Sequence, residues 1–169
     1  MATIAAFERV SEARFLRDWR DAIGGDEAAA KAVYASVRLP ERATAGSAGY
    51  DFFAPADFTL RPGESLRLPT GIRVKIENGW MLALFPRSGL GFRYRLQLDN
   101  TVGIVDSDYY FADNEGHILI QLTNGSTENK TLAVRAGEGF AQGVFLPFGL
   151  AAGDQAHSPR RGGFGSTTK

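Results

Sequence analysis

The stretch SLRLPTGIRVKIENGWMLALFP, residues 65–86, decides the fold class. It holds three short runs rich in Leu, Ile, Val and aromatic residues, separated by turn-forming residues such as Pro69, Asn78 and Gly79. From Pro40 onward, runs of this kind recur at spacings of roughly ten residues. The pattern therefore predicts an all-β domain.

About eight strands are predicted, a number that suggests a jelly roll or a related sandwich. Turn sequences such as Arg61-Pro62-Gly63-Glu64 fit the connections between them. The predicted strands are Tyr50 to Phe53, Ser65 to Pro69, Gly71 to Ile76, Trp80 to Phe85, Thr101 to Val105, His117 to Thr123, Thr131 to Val134 and Phe140 to Pro147.

The segment before Pro40 has a different period. Phe15, Trp19 and Ile23 recur every four residues, which predicts an amphipathic helix from Ser11 to Ile23. Asp26 can cap a second, Ala-rich helix. We therefore expect a helical extension over residues 1–37, a β-domain over 38–156 and a flexible Gly-rich arm over 157–169.

The composition excludes several classes of function. The 169 residues include 44% apolar and 22% charged residues, ordinary values for a globular protein. Nineteen basic residues balance nineteen acidic ones, so no net positive field favours nucleic acid or a membrane surface. The chain contains no cysteine, which excludes disulfides and thiolate chemistry. We expect a cytoplasmic protein.

Five segments carry small, flexible or charged residues that a purely structural β-domain does not need. Asp106 and Asp108 in the third segment are two residues apart, so on an extended strand they would point to the same side. The segments are AGSAGYD from Ala45, PRSGLGF from Pro86, DNTVGIVDSDYY from Asp99, GEGFAQGVF from Gly137 and RRGGFGSTTK from Arg160.

In order and spacing, these segments resemble the five motifs of the trimeric dUTPase family. The resemblance covers the chain from about Leu39 to its end. It implies a jelly-roll-like homotrimer that hydrolyses dUTP to dUMP and pyrophosphate by Mg2+-assisted attack of water on the α-phosphorus. Such an enzyme limits uracil in DNA and supplies dUMP for dTMP synthesis.

The resemblance assigns the general base to Asp106, which would also contact the 3'-hydroxyl of the sugar. Tyr109 would lie beneath the deoxyribose and leave no room for a 2'-hydroxyl. The hairpin from Asn100 through Gly103 to Ile104 would read the uracil edge with its backbone groups and the Asn100 amide.

The phosphates would be held by the second and fourth motifs. Ser88 would contact the oxygen that bridges the α- and β-phosphates, next to the flexible Gly89. Arg87 would bind phosphate or serve in an ion pair. Asp51 and Gln142 would reach Mg2+ or phosphate through bound water.

The tail would close over the nucleotide. Phe164 would stack on the base, with Gly165 and Ser166 contributing backbone and hydroxyl groups. Arg160 and Arg161 compete for the γ-phosphate, and we favour Arg160. In this family each active site would combine residues from three subunits.

The chain departs from the family pattern at three motifs, and its N-terminal helices lie outside the common domain, which suggests the bacterial or phage branch of the family. About four residues are inserted between Tyr110 and Gly116, Gly139 stands where the fourth motif has Arg, and the Arg of the fifth motif stands closer to the paired glycines than in many members. Two alternatives remain open. A dCTP deaminase-like enzyme is one alternative, although the chain lacks the arginine-rich serine motif of that enzyme. The other is a dUTP-sensing regulatory protein of phage type, with a protein partner at the N-terminal helices or the insertion.

Overall fold

A computed structural model describes residues 2–156 of the chain. Helix α1 spans Glu12–Ala22 and α2 spans Glu27–Ser36. The predicted cap of α2 is present, since the Asp26 carboxylate accepts from the Ala29 amide at 3.1 Å, and α1 is capped by the Ser11 hydroxyl, which accepts from the Arg14 amide at 3.1 Å. Both helix predictions are confirmed.

Short antiparallel strands make up most of the regular structure of the described residues, which confirms the predicted β fold class. A third helix, α3, spans Ser88–Tyr94, and a 3-10 helix spans Ser107–Phe111. The strands are β1 (Ala5–Arg9), β2 (Tyr50–Phe53), β3 (Phe58–Leu60), β4 (Ser65–Pro69), β5 (Ile72–Ile76), β6 (Trp80–Pro86), β7 (Leu96–Leu98), β8 (Gly103–Val105), β9 (Leu119–Asn124), β10 (Leu132–Val134) and β11 (Gly139–Pro147).

Four groups of hydrogen-bonded strands build the domain. The four-stranded sheet has the order β2-β11-β6-β8, and the three-stranded sheet has the order β4-β9-β7. Two pairs, β1 with β5 and β10 with β3, complete it. Strand β6 pairs with β11 on one side and with β8 on the other, so its register fixes where the segments that follow these strands begin.

All eight predicted strands occur, and β2 and β4 have the predicted bounds. Four begin later than predicted, and in two of these the predicted first residues, Gly71 and Thr101, have positive φ values of 77° and 66°, which are incompatible with strand geometry. Helix α3 and three strands are not predicted from the sequence. Two of these, β3 and β7, have only three residues each. The third, β1, combines alanines with charged residues.

Strand β1 lies inside the segment that the sequence analysis treats as purely helical. It pairs with β5 from Ala5 opposite Ile76 to Arg9 opposite Ile72. Phe15 and Trp19 of α1 belong to the same buried cluster as the residues of the β-sheets. The N-terminal segment is therefore packed into the core by a strand and a helix together.

Gly71 lies where this segment meets the β-domain. Its φ is 77°, and a Cβ built on it would lie 2.9 Å from Cγ2 of Val37 and 3.4 Å from Cδ2 of Phe15. Val37, which follows α2, and the ring of Phe15 in α1 thus pack directly on the backbone of Gly71.

Within residues 2–156, every helix is too short or too polar to cross a bilayer.

We predict that Gly71→Ala lowers the free energy of unfolding by about 2–4 kcal/mol. The left-handed backbone costs about 1–2 kcal/mol with a side chain, and crowding in a packed core adds about 1–3 kcal/mol. Gly63→Ala is the matched control, since its φ is 83° and nothing lies within 4 Å of the added Cβ. Urea unfolding should show a loss at least twice as large for Gly71→Ala. Equal losses would mean that packing against Val37 contributes nothing.

Candidate active site

The carboxyl end of β6 brings together three of the five motifs. In the register of the sheet, Gln142 of β11 stands opposite Phe85 of β6 on one side and Asp51 of β2 on the other. Arg87 and Ser88 follow the end of β6 directly. Residues that are far apart in sequence therefore form one group, which we call the β6-end cluster: Asp51, Arg87, Ser88 and Gln142.

Direct contacts tie this cluster together. Arg87 Nε lies 3.4 Å from Asp51 Oδ1 in an ion pair that is partly open to solvent. The Gln142 amide donates to the carbonyl of Pro86 at 3.4 Å. A Cβ on Gly49 would lie 2.7 Å from Oε1 of Gln142, so this glycine leaves the space that the amide occupies. The structure thus shows Arg87 as an ion-pair partner.

Gly139 is in contact with the same arginine. A Cβ at this position would lie 2.8 Å from Nη1 and 3.0 Å from Cδ of Arg87. The side chain of Arg87 therefore lies over the glycine and extends to Asp51. The ion pair that the family's Arg at this position would make is absent here, because residue 139 has no side chain.

The second motif forms the start of a helix. Ser88 and Gly89 open α3, and the amides of Leu90 and Gly91 both donate to the carbonyl of Arg87, at 3.0 and 2.9 Å. Ser88 is exposed, which leaves its hydroxyl accessible at the end of β6.

The predicted base-reading hairpin is a tight turn before β8. The Thr101 amide donates to the Leu98 carbonyl at 2.9 Å, and Asn100 is exposed beside it. Gly103 faces β6, since a Cβ there would lie 3.1 Å from Cβ of Leu84. A cavity of about 510 Å³ opens here, lined by Arg67, Leu84, Leu98, Asp99, Asn100 and Gly103 among others.

Burial alternates between neighbouring residues of this hairpin. Ile104 is 39% exposed, whereas its neighbour Val105 is buried. The side chains of a strand alternate between its faces, so burial of Val105 sends Ile104 outward.

Asp106 follows β8 directly and is the N-cap residue of the 3-10 helix of Ser107–Phe111. The extended geometry that we predict for Asp106 and Asp108 is therefore wrong: Asp106 is half-buried, whereas Asp108 lies within the helical turn and is exposed. The turn closes through the Tyr109 amide, which donates to the Asp106 carbonyl at 3.2 Å.

The Tyr109 side chain is 1% exposed. Its hydroxyl donates to the His117 carbonyl at 2.8 Å and accepts from the Asn114 amide at 2.7 Å. These partners are in or just after the insertion, so the insertion folds back on the turn that carries Asp106. The assignment of Tyr109 as the sugar contact stays a prediction.

The sequence analysis assigns no role to His117, Asn114 or Glu115. A lone histidine at the start of an apolar strand carries little signal, because a buried histidine is more often structural than functional. Its meaning depends on Asp18, which is 99 residues away in sequence and 2.6 Å away in space.

Asp106 and the β6-end cluster lie apart along β6. Val105 stands opposite Leu82, so Asp106 follows at the level of Met81, whereas Gln142 stands opposite Phe85. Four residues of strand separate these two levels, a distance of about 13 Å. One chain therefore presents Asp106 and the cluster at different places.

Metal ligands are sparse in this part of the chain. Within residues 2–156, no three His, Asp or Glu side chains lie close enough together to form an ion cage. The β6-end cluster supplies one carboxylate, that of Asp51. The tail residues Arg160, Arg161, Phe164, Gly165 and Ser166 lie outside the described residues.

Comparisons with known proteins agree with this arrangement. The sequence model of the dUTPase family matches residues 35–168. The deoxyuridine 5'-triphosphate nucleotidohydrolase of Lactococcus lactis is 40% identical over 148 residues, which are 86% of this chain and 97% of that protein.

Solved structures show the same fold. The dUTPase of Streptococcus mutans superposes with a TM-score of 0.65 at 35% identity, covering 88% of this chain and 99% of that chain. The Staphylococcus bacteriophage 80alpha dUTPase has a TM-score of 0.64 at 20% identity over 93% of this chain and 90% of its own, a likeness of fold alone. The jelly-roll-like architecture is thereby confirmed.

With a family model that spans most of its length and a bacterial relative at 40% identity, the chain belongs to the dUTPase family.

Proposed function

We propose that this protein hydrolyses dUTP to dUMP and pyrophosphate. The observation that carries the proposal is the β6-end cluster, where residues from three sequence motifs meet at one end of one strand. The cluster offers a cation, a carboxylate, an amide and an exposed hydroxyl, which are groups suited to a polyphosphate and its counterion. The bacterial relatives that match most of the chain carry this activity in their name.

In the proposed reaction Asp106 is the general base. Its carboxylate removes a proton from a water molecule, whose oxygen attacks the α-phosphorus. The bond from the α-phosphorus to the bridging oxygen breaks, and pyrophosphate leaves with the electron pair. Ser88 donates its hydroxyl to that bridging oxygen, where negative charge grows as the bond breaks.

Mg2+ fits the groups that the cluster presents. This ion prefers oxygen ligands, keeps several of its waters and binds through substrate phosphates with one or two carboxylates nearby. Asp51 is the nearby carboxylate, and Gln142 stands beside it in the sheet register. Both would hold water molecules of a phosphate-bound ion, which would neutralise charge on the triphosphate.

The hairpin from Asn100 to Ile104 and the turn that carries Tyr109 would select the nucleotide. Asn100, Gly103 and Ile104 would bind the uracil edge, and the tight turn would exclude the thymine methyl group by contact. Tyr109 would restrict the 2' position of the sugar. The tail would close over the bound nucleotide, with Arg160 at the γ-phosphate and Phe164, Gly165 and Ser166 at the base and phosphates.

We further propose a homotrimer in which subunits share each active site. Along the strand direction the levels of Asp106 and Gln142 are about 13 Å apart, which supports this, because a general base must reach its proton directly or through one water. A threefold arrangement can bring Asp106 of one subunit to the cluster of another, and it generates three equal sites.

The direct test is pyrophosphate release from dUTP, UTP, dTTP and dCTP in the presence of Mg2+. We expect kcat/KM for dUTP to exceed the other values by about a hundredfold or more, since a site that pairs with polar edges strongly rejects mismatched ones. Ammonia released from dCTP without pyrophosphate would instead indicate a deaminase.

Asp106→Asn tests the base. The amide keeps the size and polarity of the side chain but cannot take the proton, so we expect kcat to fall by about a hundredfold or more while binding of dUTP with Mg2+ changes little. Calorimetric titration with a non-hydrolysable analogue measures the binding. Asp108→Asn is the matched control, because its carboxylate is exposed in the same turn. Normal turnover by Asp106→Asn removes this residue from the role of base.

Mixed trimers test the sharing of sites. Chains with Asp106→Asn and chains truncated before Arg160 should each form inactive trimers. Refolded together, they should regain part of the activity, because some sites then combine Asp106 from one chain with an intact tail from another. Trimers verified as mixed by mass spectrometry that stay as inactive as their parents would show that each site lies within one chain.

A further inference from the structure

A chain of hydrogen bonds joins α1 to the turn that carries Asp106. Asp18 Oδ2 of α1 lies 2.6 Å from His117 Nδ1, and the Gly71 amide donates to His117 Nε2 at 2.9 Å. Because Nε2 accepts, the ring proton is on Nδ1 and is donated to Asp18. The imidazole is fully buried, so its two partners fix its orientation.

From His117 the chain continues to the turn. The His117 carbonyl accepts from the Tyr109 hydroxyl at 2.8 Å, and the Tyr109 amide closes the turn on the Asp106 carbonyl at 3.2 Å. Gly116 lies against the same turn: its φ is 68°, and a Cβ there would lie 2.8 Å from the carbonyl oxygen of Tyr109. A displacement of His117 would therefore be transmitted to Asp106.

A second set of contacts binds the insertion to the N-terminal segment. Glu115 accepts from the amide and the hydroxyl of Ser11, at 2.9 and 2.7 Å. Burial raises the pKa of Glu115, but the two Ser11 donors and the charges of Arg73 and Arg14 together lower it by more, so the net shift is downward. Glu8 of β1 accepts from the Tyr110 hydroxyl at 2.9 Å and from Arg73 at 2.8 Å.

The N-terminal segment and the insertion between Tyr110 and Gly116, which both lie outside the common family pattern, thus hold each other in place. We infer that Asp18 is a positioning residue for the hydrolysis of dUTP, holding the Asp106 turn in place through His117 and Tyr109. The inference rests on the proposed function and gives α1 a role in the reaction, since a base displaced by about 1 Å can lose a hundredfold in rate.

The test compares Asp18→Ala, Asp18→Asn and Asp21→Ala in the full-length protein, at a temperature where all three are folded by circular dichroism. Asp18→Ala should lower kcat about tenfold and leave KM for dUTP within about threefold. Asp18→Asn keeps an oxygen that can accept from His117 and should restore most of kcat. Asp21→Ala is the matched control: this carboxylate is in the same helix, is exposed and lies 3.8 Å from Arg20.

Hydrogen exchange gives a readout that needs no turnover. Amides of residues 106–116 should exchange faster in Asp18→Ala than in Asp21→Ala. If Asp18→Ala has normal kcat, or if its loss of kcat is not restored by Asn, Asp18 has no positioning role and the inference is wrong. If the unmodified protein releases no pyrophosphate from dUTP, the proposed function itself fails, and the exchange data then report only a structural contact.

Discussion

The pairing of β6 on both of its edges is the constraint on which the rest of the structure depends. In the sheet register, β6 is paired with β11 over seven residue pairs, which include Ala141 to Pro147 of β11, and with β8 over three more. A slip of one residue in either pairing would turn every side chain of the partner strand to the other face. The register therefore fixes, at the same time, which residues fill the core and which residues meet at the end of β6.

The same constraint keeps Asp106 and the β6-end cluster apart within one chain. The cluster lies at the carboxyl end of β6, whereas Asp106 follows β8 at the level of the amino end of β6, and a paired strand cannot bend enough to bring them together. In the proposed homotrimer this separation is met without distorting the sheet, because symmetry can place one end of a strand beside the opposite end of another. The groups proposed to bind the triphosphate would then stand at the end of an ordered strand.

The sequence predicts the elements with strong periodicity and misses the ones that tertiary contacts create. Phe15, Trp19 and Ile23 repeat at helical spacing, and Ser11 is a good cap, so α1 is predicted within a residue at each end. The segment Ala5–Arg9 has no such pattern and becomes a strand only because β5 offers a free edge. In the same way, the spacing of Asp106 and Asp108 fits an extended strand, but the hydrogen bonds of Tyr109 with His117 and Asn114 stabilise a helical turn. The motif residues of the β6-end cluster are found from sequence, whereas Asp18 and His117 have no local signal, since the contact joins residues 99 positions apart.

The substitution at Gly139 shows how a departure from a family pattern can be accommodated by its neighbours. The absence of the family's Arg at this position removes one positive charge from the fourth motif. The backbone of Gly139 leaves room for the side chain of Arg87, which lies across it and reaches Asp51 at 3.4 Å. A Cβ at position 139 would lie 2.8 Å from Arg87, so a side chain there would have to displace it. The position of Arg87 therefore depends on the glycine at 139, and the cation that faces Asp51 comes from the second motif.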